Sequence, residues 1–363
     1  MHRVLLSICF VQLLAASGLA EICKVRVILF VPADLEAPVG HQERLDQTVK
    51  YTEQFFLDGL KRWGHEGHVS PFVFDEQGHA VFTIVRGEQN AAAYEKPSLR
   101  VEAIAAARTQ LALDDSRQIW WVFVYKGDPP QRFADYRGGF DPATGGWSVC
   151  NFGTHPGKID LAEPLGSPFL VELTLKGMIH ELGHAFQLPH IGPRDADKSG
   201  NTLMGPTHFN YRRVTGQQPR EAYLSEAAAA MICRHPAFRG IEDGRGGLPK
   251  PNAADPKVTI DSQNKSIRVR GQVAADPRPA FAVVANHSDL QPGEYWTKHF
   301  VAPINAQGDY EVTINELAPG AGELSVWYVF DNGAMTGNGR LRGPAGAIKR
   351  KYGYANRQWK LVP

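Results

Sequence analysis

The stretch at 178–190, MIHELGHAFQLPH, constrains this chain more than any other. Three polar residues, His180, Glu181 and His184, are set into a run of Met, Ile, Leu, Ala and Phe, and a helix that apolar packs into a core. Burying imidazoles and a carboxylate without partners is costly, so the fold has to bring them a common one. His180 and His184 are four apart and project from one helical face a turn apart. Two imidazoles at that spacing can hold one Zn2+ at about 2.0–2.1 Å. Glu181 stands beside that face, where it reaches a water on the ion rather than the ion itself. Leu188-Pro189 ends the helix, because the residue before proline is pushed out of the helical region. The chain can then bend and return His190 as a third ligand. Three protein ligands and one open position is the arrangement of a catalytic zinc, whereas structural sites are closed by four.

His180-Glu181-x-x-His184 and His190, followed by Met204 within Asn201-Thr202-Leu203-Met204-Gly205-Pro206, resemble the metzincin superfamily of zinc endopeptidases over roughly thirty residues. The resemblance implies one zinc ion on His180, His184 and His190, Glu181 as general base, and Met204 in a turn that lays an apolar floor under the metal. Gln187 departs from it, since the group has Gly at that position. A non-Gly residue in the left-handed turn made there costs about 1–2 kcal/mol. Pro189 offers another route to the bend, and Glu221, Glu226, Asp195 and Asp197 are the alternative third ligands. Zinc makes water acidic enough to attack a peptide carbonyl near neutral pH. Glu181 would relay the proton to the leaving amine. Tyr211, His208 and His155 are candidate supports for the oxyanion, and 146–152 is the candidate edge strand against which a peptide would pair.

Around this motif the chain reads as an α+β zinc-peptidase domain, a mixed sheet with packed helices, followed by an all-β sandwich. The order from 24 to 125 is strand, helix, strand, helix, strand: 24–31 and 118–125 are apolar and β-branched, 80–85 is a shorter strand, and 46–63 and 99–113 are helical. Residues 127–166, rich in Gly, Pro and Asp, read as loop apart from the edge strand. Ser167-Pro168 looks like a helix start, with the helix running to about 186, and 220–232 reads as another helix. After the Gly/Pro-rich linker, short alternating runs such as SIRVRGQV and YEVTIN show no helical period. The expected divisions are a signal peptide at 1–20, the metzincin-like domain at 21–245, a linker at 246–256, and a sandwich of immunoglobulin or fibronectin type III kind at 257–363 with a basic C-terminal tail.

Composition excludes several classes. Arg3, the apolar run after it and small residues up to Ala20 form the pattern of a secretory signal, so the chain is expected to be exported. No other stretch is long and apolar enough to predict a membrane span. The 39 basic and 38 acidic residues leave a net charge of +1, which excludes a general nucleic-acid binder. Cys23, Cys150 and Cys233 follow the signal, enough for one disulfide and a spare thiol, and Cys23 is also placed to block the zinc. Asp195, Asp197, Ser199 and Gly200 resemble the opening of a calcium loop, but Pro206 holds the twelfth position, where Glu would belong. Asn264 and Asn286 lie in glycosylation sequons. The expected partner is a protein or peptide substrate. The rival readings are a zinc hydrolase acting on a non-peptide bond, and a catalytically silent adhesion protein whose sandwich binds protein or glycan.

Overall fold

In the computed structural model two strands buried along nearly their whole length organise the N-terminal half. They are β1 (Val25–Val31) and β3 (Gln118–Val124), which pair in parallel. Continuous apolar sequence of this kind belongs to a sheet covered on both faces. Alternate residues go to opposite sides. Val27, Leu29, Trp121 and Phe123 join one core with Leu45, Val49, Phe56 and Leu60 of α1 (His41–Arg62). Ile28, Phe30, Trp120 and Val122 join another with Leu99, Ala103 and Ala107 of α2 (Ser98–Leu111). The structure describes residues 21–94, 98–113, 117–128, 137–141, 145–197, 200–217, 221–245, 249–335 and 347–362. The signal-like segment, Ser199 and the part of the basic C-terminal tail that holds Arg340 and Arg342 lie outside them.

Three more strands complete the sheet. β2 (Phe82–Arg86) runs parallel to β1, β5 (Gly145–Asn151) parallel to β3, and β4 (Arg137–Asp141) antiparallel to β5, giving the order β2-β1-β3-β5-β4. The strand at 146–152 is therefore interior, and the edge is β4. Its Arg-Gly-Gly-Phe-Asp sequence has too little apolar period to show as a strand. The long helix expected from 167 is two helices, α3 (Pro168–Glu172) and α4 (Leu175–Ala185), parted at Thr174, whose φ is 56°. The apolar pattern runs through the break and hides it. The helix expected at 220–232 divides likewise. β7 (Glu221–Tyr223) pairs in parallel with β6 (Gly200–Thr202), and the Ser225 hydroxyl then caps α6 (Glu226–Ile232) by accepting from the Ala228 amide. α5 (His208–Thr215) lies between those strands and α7 (Pro236–Arg239) follows α6.

The C-terminal half is β-rich. β8 (Asn252–Ala253), β9 (Lys257–Asp261) and β13 (Asp309–Ile314) pair with β10 (Ser266–Ala274). A second sheet has the order β12-β11-β14-β15-β16, with β11 at Pro279–Ser288, β12 at Lys298–Pro303, β14 at Gly322–Phe330, β15 at Ile348–Ala355 and β16 at Gln358–Val362. The two sheets share a core that includes Ile267, Val269, Val284, Val312 and Val326. β13 alternates as its sequence predicts, whereas β11 and β14 are buried almost throughout. The reason is their other face: Val283, Ala285, Trp327 and Val329 belong to the core of the N-terminal half. The basic C-terminus forms the β15–β16 hairpin, with Lys349 on Glu323 and Arg350 on Asp255. Cys23, Cys150 and Cys233 are all buried and unpaired. Among the described residues no helix is long and apolar enough to cross a membrane.

Two glycines decide how closely α4 lies on the sheet. A Cβ on Gly138 of β4 would stand 1.9 Å from the Glu181 carbonyl oxygen, and one on Gly146 of β5 would stand 2.2 Å from that of Ala185. Both neighbours are backbone and cannot swing away. Gly138→Ala and Gly146→Ala are each expected to destabilise the fold by about 1–3 kcal/mol and to loosen metal binding as α4 lifts. Chemical denaturation together with a metal titration checks both effects.

Candidate metal centre

α4 and the bend after it bring His180, His184 and His190 together. One ring nitrogen of each lies within 4.8 Å of the others, and among the described residues this is the group able to hold a metal ion. His180 and His190 are buried and His184 half-buried. His180 Nδ1 is 2.9 Å from the Leu203 carbonyl and His184 Nδ1 is 2.8 Å from that of Leu188. A carbonyl only accepts, so each Nδ1 must carry the proton, which leaves the Nε2 lone pair free to ligate. His184 Nε2 and His190 Nε2 stand 3.1 Å apart. Neighbouring ligands of a tetrahedral zinc, each at 2.0–2.1 Å, stand roughly 3.3 Å apart, so the residues fit such an ion. Burial, then the neighbouring His184, pushes His180 well below its ordinary pKa and His190 down to about 3. Both rings are held neutral, as ligation requires.

The bend is made by Gln187 itself, in the left-handed conformation at φ 68°. Its amide donates to the His184 carbonyl and that of Leu188 to Gly183, closing the helix end. The turn containing Met204 then holds the returning chain. The Ile191 amide donates to the Met204 carbonyl, and the Thr202 hydroxyl to that of Ile191. Met204 is buried under α4, where a Cβ on Gly183 would stand 2.5 Å from its sulfur. The alternative third ligands are engaged elsewhere. Glu221 pairs with Arg62, Glu226 with Arg194, Asp195 with Lys298, and Asp197 with Arg194 and the Tyr223 hydroxyl. The calcium-loop carboxylates thus face cations of the protein.

Glu181 and His180 line a cavity of about 550 Å³, with Tyr295 on its wall. Of the three oxyanion candidates only His208 lies there. His155 packs on Phe169 beside another cavity, and Tyr211 stacks on Trp296. Two residues of the site carried no sequence signal. They sit on a 3-10 turn at Glu294–Trp296, between β11 and β12 of the β-rich half. The Tyr295 ring lies 3.8 Å from that of His190, centroid to centroid. Glu294 Oε1 is 3.1 Å from His190 Nδ1, ion-pair distance without the alignment of a hydrogen bond.

No family model matches the chain, and no curated protein sequence matches it. Its fold is similar to that of OgpA from Akkermansia muciniphila. A catalytically inactive form of OgpA in complex with an O-glycopeptide substrate superposes with a TM-score of 0.71 and 16% identity, over 94% of this chain and 96% of that one. Wild-type OgpA gives 0.70 and 17% over the same shares. At that identity the likeness is one of fold: a mixed α/β domain followed by a β-rich region.

Second-sphere carboxylates on ligating histidines are worth about 10–100-fold in metal affinity. Glu294→Gln is expected to weaken zinc binding about tenfold with little change in melting temperature of the metal-free protein. Competition with a chromophoric chelator measures it, and an unchanged affinity would show that Glu294 does not orient His190.

Proposed function

We propose that this chain is an exported zinc-dependent endopeptidase of metzincin type, cleaving peptides that include O-glycosylated ones. The observation that carries the reading is the convergence of three imidazoles, two with Nδ1 committed to carbonyls, beside the carboxylate of Glu181. His180, His184 and His190 would hold the ion, with Met204 beneath. When bound, zinc supplies Lewis-acid polarisation and a nucleophilic water near neutral pH.

The protein's own residues supply the rest. Glu181 Oε accepts the proton of the attacking water and returns it to the nitrogen of the leaving amine. Tyr295 offers a hydroxyl donor on the same cavity wall, kept protonated by burial and by the charges of Glu181 and Glu294. An extended peptide finds its main-chain partners on β4, the end strand of the sheet next to α4. The fold shared with OgpA, one structure of which holds an O-glycopeptide, supports this substrate class. The β-rich half belongs to the enzyme in this reading, since Tyr295 comes from it.

The purified full chain is expected to bind one zinc ion and to cleave members of a peptide and O-glycopeptide library, read by mass spectrometry. A chelator should abolish cleavage and zinc restore it. Glu181→Gln should keep the metal and lose about 10²–10⁴-fold in kcat/KM. Cleavage that survives Glu181→Gln would refute the assignment of the base. Zinc binding with no cleavage of any library member would favour a silent binding protein or a hydrolase of another bond.

A further inference from the structure

Lys176 lies one turn before His180 on α4 and lines the same cavity, although only 7% of it is exposed. Its Nζ donates to the Gly205 carbonyl at 3.2 Å and the Pro206 carbonyl at 2.9 Å. An ammonium has three donors, so one is left. No carboxylate among the described residues pairs with it, and burial alone brings its pKa down to about 7. A buried charge whose only partners are neutral carbonyls is expensive. Holding the turn after Met204 does not require a charge, since the Asn201 amide already donates to the Pro206 carbonyl at 2.6 Å.

The surroundings of Lys176 point the same way. Both ring nitrogens of His208 are buried without a hydrogen-bond partner, and His208 lines this cavity; in either tautomer one of them is a donor. Lys176 and His208 line the same cavity, and burial, then the Lys176 charge, holds the His208 pKa down to about 4. Val171, Phe209 and Tyr295 supply apolar surface. The pocket thus has apolar walls, spare donors and an uncompensated cation, beside the proposed base.

We propose that this cavity receives a substrate substituent ending in a carboxylate, with Lys176 as the residue that selects it. The inference rests on the peptidase reading for its substrate but not for its test. A carboxylate would take the third Nζ donor and neutralise the charge, and the His208 ring could donate to its second oxygen. The substituent needs an apolar stem, as a glutamate side chain has. An acidic sugar on a glycopeptide carries the same group.

Binding to zinc-loaded, full-length Glu181→Gln, measured by calorimetry, decides the matter without requiring turnover. A single Glu is walked along a short Ser/Thr-rich peptide, with Gln and Leu at the same positions as controls. A sialylated O-glycopeptide and its desialylated form make a second arm, which separates an acidic sugar from an acidic side chain. At one position, or in the glycopeptide arm, the carboxylate form should bind about tenfold or more tightly, as expected for a charge-assisted hydrogen bond. Lys176→Gln, which keeps a donor for the two carbonyls, should remove that preference, and Lys176→Arg should retain it. Equal binding of both forms in every arm, or no binding, overturns the proposal, as does a preference that survives Lys176→Gln. The first comparison needs no Lys176 variant, so it stands even if one fails to fold. If wild type cleaves none of the peptides that Glu181→Gln binds, the peptidase reading fails and the pocket stands.

Discussion

The structure depends on how the proton positions of its buried histidines are fixed. His180 and His184 each surrender Nδ1 to a carbonyl of the main chain, Leu203 and Leu188. These bonds orient the rings, set the tautomer and satisfy a group that would otherwise be buried at a cost. They also tie the site to two particular stretches of backbone. Leu203 belongs to the turn that buries Met204, and Leu188 to the bend that leads to His190. A shift of either would turn a ligand nitrogen away. α4 is also seated closely on the sheet, where Gly138 and Gly146 leave room for its Glu181 and Ala185 carbonyls.

The third histidine is held differently, and this gives the β-rich half a chemical role. His190 meets no carbonyl at Nδ1; it faces Glu294 and lies under the ring of Tyr295. The turn carrying both residues is steadied from each side. The Gly192 amide donates to the Thr297 carbonyl, and Lys298, at the start of β12, reaches Asp195. With Trp327 and Val329 packed into the core of the N-terminal half, the two halves share apolar surface as well as site residues. Removing the β-rich half would therefore strip the three-histidine site of one wall.

What could be read from the sequence followed from local spacing. Two histidines one helical turn apart, a proline that stops the helix and a methionine downstream are written within about thirty residues, and the structure brings His180, His184 and His190 together as that spacing suggests. Periodicity also located α1, α2, β1 and β3, because their faces are committed to cores. It failed where the apolar pattern ignores the backbone, as at Thr174, and where a strand has almost no apolar residues, as in β4. It could not reach Glu294 and Tyr295, since nothing local links them to a histidine so far upstream. Lys176 has no sequence signal for a related reason: a lysine on a helix reads as solvent-facing until the fold closes around it.

Gln187 shows how strain and site geometry are joined. The left-handed turn costs a residue with a Cβ about 1–2 kcal/mol, and in this fold the chain accepts that cost. Three main-chain hydrogen bonds around the turn, from Gln187, Leu188 and Ile191, hold it against relaxation. Each is worth about 0.5–1.5 kcal/mol net, so together they match or exceed the strain. Pro189 adds to them by restricting the unfolded chain. Glycine would remove the strain but give the unfolded chain more freedom, and the two effects are of similar size. The bend that returns His190 therefore needs no glycine, provided that Met204 and its neighbours stay in place to accept the Ile191 amide. What glycine secures by backbone freedom in the resembling family, this chain secures by tethering.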